Sequence, residues 1–281
     1  MIFPRFITLS LLTLLAGALA LAAAPDRSRA ASSASATQSI GSYTAGCIRN
    51  SAAIPMEGEG FQVIRPGRGR YFANPETIEF IIDLGKRVND ASGIILIGDV
   101  AQQTGGPMLD EHSSHQTGLD ADILYWQHPI ALQRSLSSQE RENIFPQSVL
   151  NDQRTGVDDF KWDERIGKIV KTAASYADVD RIFVNPFVKR KLCSEYPGEL
   201  WLAKLRPWYG HDGHFHVRLK CPAGNVSCVP QEPINTHDTG CGSDLASWFT
   251  SSGKIKSQKS SGGGTSPRLP EECIAIMNGG A

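Results

Sequence analysis

Apolar residues recur at helical spacing in two stretches of the chain. The first stripe consists of Ile78, Ile81, Ile82 and Val88. It follows Asn74, a helix-capping residue that precedes a proline and an acid, and this order is typical of a helix start. A second stripe over residues 166–173 predicts another amphipathic helix. Residues 200–205 predict a short helix that ends before a proline.

Shorter apolar or alternating segments predict β-strands. Residues 93–97 form a continuous apolar run, whereas residues 119–126 and 214–219 alternate at least partly between apolar and polar side chains. A further strand is predicted over residues 181–184. The strands and helices do not alternate regularly, as they would in a doubly wound parallel sheet. The sequence therefore predicts an α+β fold, with a small antiparallel sheet flanked by helices in a single domain.

The ends of the chain differ in composition from its middle. Arg5 precedes a long apolar run and several small residues, which predicts a secretory signal peptide over residues 1–22. The run is shorter than the ~20 residues that span a bilayer, which favours cleavage and export over a retained anchor. Residues 23–42, rich in Ala and Ser, are predicted to be mobile. The domain is expected over residues 43–281, with a flexible Ser- and Gly-rich loop at about 251–270.

The balance of charge limits the partners that the chain attracts. Its 281 residues include 28 Lys and Arg against 29 Asp and Glu, which gives a net charge of −1. This balance provides no strong field for non-specific binding to nucleic acid or to a membrane surface. The sequence also lacks a phosphate-binding glycine loop, so a nucleotide is not expected as a ligand.

Six cysteines in an exported chain predict three disulfides, because the compartment is oxidising. They are Cys47, Cys193, Cys221, Cys228, Cys241 and Cys273. A structural zinc site is the alternative, but no pair has the short separation that such sites use. Spacing favours only the local closure between Cys221 and Cys228, and leaves the other pairings open.

Five of the seven histidines lie in two short clusters: His112, His115, His211, His214 and His216. Residues two apart on a strand share a face, so His214 and His216 are expected to point to the same side. The same rule applies to Asp120 and Asp122. If the two strands are neighbours, imidazoles and a carboxylate meet as they do in a catalytic zinc site that activates water for hydrolysis. Surface histidines or backbone-bonded core histidines are the alternative, which the clustering disfavours.

Four segments carry a family resemblance: residues 105–108 (Gly-Gly-Pro-Met), 114–122 (Ser-His-Gln-Thr-Gly-Leu-Asp-Ala-Asp), 181–186 (Arg-Ile-Phe-Val-Asn-Pro), and 206–208 (Arg-Pro-Trp) together with 216–218 (His-Val-Arg). They closely resemble the penicillin-insensitive murein endopeptidases. This family is related to lysostaphin-type enzymes, D-alanyl-D-alanine dipeptidases and the hedgehog signalling domain. The resemblance extends from about Cys47 to Cys273 and includes all six cysteines.

The resemblance implies a zinc ion and specific roles for residues of both clusters. The implied ligands are His115, Asp122 and His216, and the implied additional group close to the metal is His112. The implied catalytic residues are His214 and His211, and the implied substrate-binding wall is Trp208. Asp120 lies inside the motif but receives no ligand role. The implied disulfides are Cys47–Cys273, Cys193–Cys241 and Cys221–Cys228.

An arginine-rich run at residues 65–71 resembles the family only loosely. One interpretation is that its guanidinium groups contact substrate carboxylates. The other is a solvated, glycine-rich turn. The sequence does not decide between them.

The function that the resemblance implies is a periplasmic zinc D,D-endopeptidase. It would hydrolyse the D-alanyl–meso-diaminopimelyl cross-links between the peptide stems of peptidoglycan, with no nucleic acid as partner and no membrane span after signal cleavage. Two alternatives stay open: a non-catalytic, zinc-containing module that binds the cell wall, and a zinc carboxypeptidase or dipeptidase that acts on D-Ala-D-Ala ends. Because no serine is acylated in a metal-dependent mechanism, β-lactams are not expected to inhibit the enzyme.

Overall fold

The structure of this chain is a computed structural model that describes residues 1, 36–91, 93–108, 112–258 and 268–279. The predicted signal peptide, Met1 apart, lies outside these residues. So do the first part of the predicted mobile segment and residues 259–267 of the predicted flexible loop.

The described residues contain eleven strands and six α-helices. The strands are β1 (Gln38–Ser42), β2 (Ala45–Arg49), β3 (Ala52–Ala53), β4 (Glu57–Gly58), β5 (Phe61–Val63), β6 (Phe72–Ala73), β7 (Ile95–Ile97), β8 (Asp120–Leu124), β9 (Val179–Val184), β10 (Leu205–Pro207) and β11 (His214–Leu219). The helices are α1 (Pro75–Asp90), α2 (Ser138–Glu142), α3 (Glu164–Ser175), α4 (Pro186–Glu195), α5 (Ser243–Ala246) and α6 (Glu271–Met277). Short 3₁₀ helices occur at Pro66–Arg68 and Leu200–Lys204.

Each of the two longest helices begins at a side-chain cap, of which the sequence analysis predicts the one of α1. The Asn74 side chain accepts a hydrogen bond from the backbone N–H of Glu76 at the start of α1, and the Asp163 side chain accepts one from the backbone N–H of Arg165 at the start of α3. These caps satisfy backbone donors that a helix leaves unpaired at its first turn. In the part of the chain that the structure describes, no helix is long and apolar enough to cross a lipid bilayer.

Seven strands form one sheet in the order β10-β9-β11-β8-β7-β5-β4. The fold is therefore α+β, as the sequence predicts. The sheet is larger than expected and mixed, because β10 pairs with β9 and β5 pairs with β7 in parallel. In the centre of the sheet, the neighbouring pairs β9–β11, β11–β8 and β8–β7 are antiparallel.

The two faces of β8 and β11 carry different residues. The register places His216 opposite Asp122 and Arg218 opposite Asp120, so these polar side chains share one face. The intervening residues, such as Phe215, point to the other face. There they join the main hydrophobic core with buried residues of α1 and α3. One face of the sheet thus packs on the hydrophobic core, and the other presents polar side chains that can bind or react.

The N-terminal hairpin corrects one expectation. Residues 38–42 fall inside the segment predicted to be mobile, but they form β1, which pairs with β2 along its whole length. Ile40 is buried and packs with Cys47 and Cys273, so an apolar contact adds to strand pairing in a segment whose composition is mostly small and polar.

Three disulfides are formed, one of them between cysteines that are close in sequence. They are Cys47–Cys273, Cys193–Cys241 and Cys221–Cys228, the same three pairs that the family resemblance implies. The first holds α6 against the N-terminal hairpin, although 226 residues separate the two cysteines in sequence.

Candidate active site

Asp122 lies at the centre of a group of histidines on the polar face of β8 and β11. Its Oδ1 lies 3.3 Å from Nε2 of His115, 3.4 Å from Nδ1 of His216 and 3.5 Å from Nε2 of His214. Its Oδ2 lies 3.9 Å from Nδ1 of His112. Ligand atoms of His112, His115 and Asp122 all lie within 4.8 Å of one another, which is a spacing that one metal ion can bridge.

The closest of these contacts leaves two buried atoms without a hydrogen bond. His115 Nδ1 lies 2.9 Å from the carbonyl oxygen of Val100, so Nδ1 carries the proton and Nε2 of the neutral ring is a lone pair. That Nε2 faces Asp122 Oδ1, and both atoms are buried and unpaired. Two buried acceptors in contact are unfavourable unless a positive charge, either a proton on Nε2 or a metal ion, lies between them. Imidazole nitrogen and carboxylate oxygen are ligands that zinc accepts, so the residues fit a metal ion.

Asp120 orients His216, a role that the sequence analysis did not assign. It is fully buried and accepts hydrogen bonds from His216 Nε2 at 2.8 Å, Arg218 Nε at 2.7 Å and the backbone N–H of His115 at 3.2 Å. Because Nε2 of His216 donates to Asp120, the unprotonated Nδ1 faces Asp122. A carboxylate behind a histidine sets the tautomer in this way at many metal sites. The alternation of Asp120 with Asp122 was the sequence signal for this position.

Asp99 holds His112 in a similar manner. Its Oδ2 lies 3.0 Å from Nε2 of His112, which leaves Nδ1 of that ring towards Asp122. The same oxygen pairs with Arg68 and Arg70, each at 2.9 Å. Two arginines of the 65–71 run therefore contact a protein carboxylate that supports the histidine cluster. The solvated-turn interpretation does not describe them.

The buried charges shift the pKa values of the cluster in opposite directions. Burial opposes protonation of His115, but nearby carboxylates, above all that of Asp122, raise its pKa to about 9. Burial, together with the charge of His115, lowers the pKa of His216 to about 4. Burial alone would raise the pKa of Asp122, yet the surrounding histidines hold it well below its usual range. The Asp122 carboxylate is therefore ionised and favours a positive charge beside it, which a proton on His115 or a bound metal ion would supply.

A cleft of about 510 Å³ opens beside the cluster. Its lining includes His112 and His216 of the cluster, together with His211, Trp208 and Arg218. Trp208 is 47% exposed, so its ring is available to a bound molecule. His211, the second predicted catalytic histidine, and Trp208, the predicted substrate-binding wall, thus line the same cleft.

His211 has a lowered pKa and an unusual backbone conformation. Its Nδ1 lies 2.8 Å from the carbonyl oxygen of Tyr209, so Nδ1 donates and Nε2 is a lone pair. Burial and the neighbouring charges of His216 and His214 lower its pKa to about 3. Its φ is +50°, and that of His115 is +67°. Such conformations cost a non-glycine residue ~1–3 kcal/mol and concentrate at functional sites.

Comparison with known proteins identifies the family. The family described as penicillin-insensitive murein endopeptidase matches residues 39–278. A penicillin-insensitive murein endopeptidase of Klebsiella pneumoniae is 39% identical over 274 residues, which are 96% of this chain and 97% of that protein. Proteins of the same name from Haemophilus influenzae (43% over 213 residues, 75% of this chain and 72% of that protein) and Escherichia coli O157:H7 (38% over 276 residues, 96% and 97%) are also similar. The chain therefore belongs to the penicillin-insensitive murein endopeptidase family.

Proposed function

We propose that this protein is a zinc-dependent D,D-endopeptidase that hydrolyses the D-alanyl–meso-diaminopimelyl cross-links of peptidoglycan. The observation that carries the proposal is the buried, unpaired contact between His115 Nε2 and Asp122 Oδ1. Such a contact needs a positive charge between its two atoms, and a metal ion bound by both groups would supply it. The names of the relatives from Klebsiella, Haemophilus and Escherichia support peptidoglycan as the substrate.

Three residues would hold the zinc ion: His115, Asp122 and His216. His112 is the additional group close to it. The three imidazoles share one property, since each binds a protein oxygen through one nitrogen and presents the other towards Asp122. Zinc bound there supplies Lewis acidity, which polarises a peptide carbonyl and lowers the pKa of water.

Two further histidines, one beside Asp122 and one lining the cleft, would transfer or accept protons. The His214 side chain is 20% exposed and its Nε2 lies 3.5 Å from Asp122, so it is close to the reacting groups and open to water. A histidine in this position can donate or accept the proton that peptide hydrolysis requires. His211 stays neutral at physiological pH because its pKa is lowered to about 3, and its Nε2 can accept a hydrogen bond from the substrate or from water.

The cleft would receive a cross-linked pair of peptide stems, with Trp208 as an aromatic wall. The three disulfides suit an oxidising compartment. Together with the predicted signal peptide over residues 1–22, they support a periplasmic location, where peptidoglycan is accessible.

The test is digestion of purified cross-linked muropeptides, followed by mass analysis. We expect dimers to be split into monomers, activity to be lost with a zinc chelator and restored by Zn²⁺, and penicillin to have no effect. Uncross-linked stems that end in D-Ala-D-Ala should stay intact.

Other results would point elsewhere. Release of alanine or of the dipeptide from uncross-linked stems would favour a carboxypeptidase or a dipeptidase. Bound zinc and wall binding without cleavage of any muropeptide would favour a non-catalytic module. Inhibition by penicillin, with no response to the chelator, would contradict a metal-dependent mechanism.

A further inference from the structure

We propose that Arg218 binds a carboxylate of the substrate, namely the one carried by the residue whose amino group is released on cleavage. This inference rests on the proposed function and deepens it, because it names the chemical group that the cleft recognises next to the scissile bond. Arg218 would then set specificity as well as pair with Asp120.

The position of Arg218 places a cation next to the cluster. It follows His216 by two residues on β11 and lies on the same face, opposite Asp120. Two residues of a strand span about 7 Å. The residue is only 4% exposed, yet it contributes to the lining of the cleft. Its guanidinium therefore borders the cleft although the residue is largely buried.

Two of its three guanidinium nitrogens are already occupied. Nε donates to Asp120 Oδ1 at 2.7 Å, and Nη1 donates to Gln231 Oε1 at 2.8 Å. Among the described residues, none accepts a hydrogen bond from Nη2. The rings of Tyr43 and Phe183 lie 4.3 Å and 5.0 Å from Cζ, and this packing fixes the guanidinium plane. A pre-oriented group loses little entropy when it binds an anion.

Arg218 is also the one Lys or Arg among the described residues that line this cleft. The nearby arginines 68 and 70 pair with Asp99 and are not part of the lining. An anionic group of a substrate in the cleft therefore has a single permanently charged partner in this part of the molecule. The charge of Asp120 is already shared with His216.

The chemistry of the proposed substrate supplies a carboxylate at a suitable distance. In the cross-link, D-alanine acylates an amino group of diaminopimelate, and the carbon that bears this amino group also bears a carboxylate. The carboxylate carbon is about 3–4 Å from the scissile carbonyl carbon, and a charged hydrogen bond adds about 3 Å. The sum, about 6–7 Å, is similar to the backbone rise between His216 and Arg218 on β11.

The experiment compares two synthetic cross-linked muropeptides that differ only in this carboxylate, which is free in one and a carboxamide in the other. For the wild-type protein with zinc, we expect kcat/KM to be about ten- to hundredfold lower for the carboxamide, because a charged hydrogen bond is lost. In Arg218→Lys, which keeps a cation beside Asp120, the ratio should approach one, mainly through slower cleavage of the carboxylate substrate.

Arg181→Gln is the matched control. Arg181 lies opposite Arg218 on β9 and is also buried, but it binds Asp180 and the Glu232 carbonyl and does not line the cleft. In Arg181→Gln, the ratio of kcat/KM between the carboxylate and the carboxamide substrate should equal that of the wild type. Zinc content and circular dichroism of each variant show whether the site and fold are retained.

Several outcomes would overturn the inference. A wild-type protein that cleaves both substrates equally well, or an Arg218→Lys variant that keeps the wild-type ratio, would exclude this role. If the wild type cleaves neither substrate, the proposed function fails, and calorimetric binding of the two muropeptides then decides separately. Tighter binding of the carboxylate form that is lost in Arg218→Lys would support the subsite, and equal binding of both forms would reject it.

Discussion

His214 and His216 lie two positions apart on one strand, yet their surroundings differ. His216 is almost completely buried, donates to Asp120 and faces Asp122 with its other nitrogen. His214 makes one contact of this kind, to Asp122, and its side chain is 20% exposed. The first environment suits a metal ligand, whereas the second suits a group that exchanges protons with water.

This difference gives a prediction for His214→Ala. Zinc content should stay near that of the wild type, while cleavage of cross-linked muropeptides should fall by about 100-fold or more, since a proton-transfer group is lost. The measurements are metal analysis and single-turnover cleavage. His115→Ala is the comparison, because it should lose both zinc and activity. Unchanged cleavage in His214→Ala would remove this residue from the mechanism.

At the scale of secondary structure, α4 is the clearest element that the sequence analysis missed. It begins with Asn185 and Pro186, the same cap and proline as α1, and the Asn185 side chain accepts from the N–H of Phe187. Its buried face, however, includes Lys189, which is fully buried and donates to the carbonyl oxygens of Leu202 and Thr239. A lysine on the buried face interrupts the apolar stripe by which a helix is recognised.

Lys189 makes the stability of this region depend on pH. Burial, and to a lesser extent the charge of Arg206, lowers its pKa from 10.5 to about 7, although Asp238 opposes the shift. Between these values the unfolded chain binds a proton that the folded chain does not, so the free energy of unfolding should rise as pH increases from about 7 to 10. Lys189→Met lacks this group. Urea unfolding at pH 7 and 9.5 should show the wild type gaining about 1–4 kcal/mol relative to the variant, and parallel pH profiles would contradict the shift.

At the scale of the whole molecule, the disulfides close loops of very different length. Cys47–Cys273 closes a loop of 226 residues, and Cys221–Cys228 closes one of 7. If the bonds act by restricting the unfolded chain, the first should contribute about 5 kcal/mol and the second about 2 kcal/mol.

Replacement of each pair by alanine tests this difference. The double variant Cys47→Ala, Cys273→Ala should unfold at a clearly lower denaturant concentration than Cys221→Ala, Cys228→Ala, which serves as the control with the same number of substitutions. Similar losses in the two variants would show that chain entropy is not the dominant contribution.

Much of the fold and the candidate site follows from local patterns. The predicted strand at residues 214–219 has the same bounds as β11, and the predicted strand at 119–126 contains β8. The caps of α1, the cysteines and the two histidine clusters are equally visible in the sequence. These features depend on residues within a few positions of one another, so propensity and periodicity are sufficient to detect them.

Which of these strands and side chains come into contact depends on the tertiary structure. His216 and Asp120 are 96 residues apart, and only the register of β11 against β8 brings them together. A shift of one residue would turn Asp122 to the opposite face. The supporting contact of Asp99 with His112 is likewise long-range in origin, as is the position of Arg218 between Tyr43 and Phe183. The sequence by itself determined which groups are available for chemistry; the packing of the complete chain decided which of them share one site, because register and burial are properties of the whole sheet.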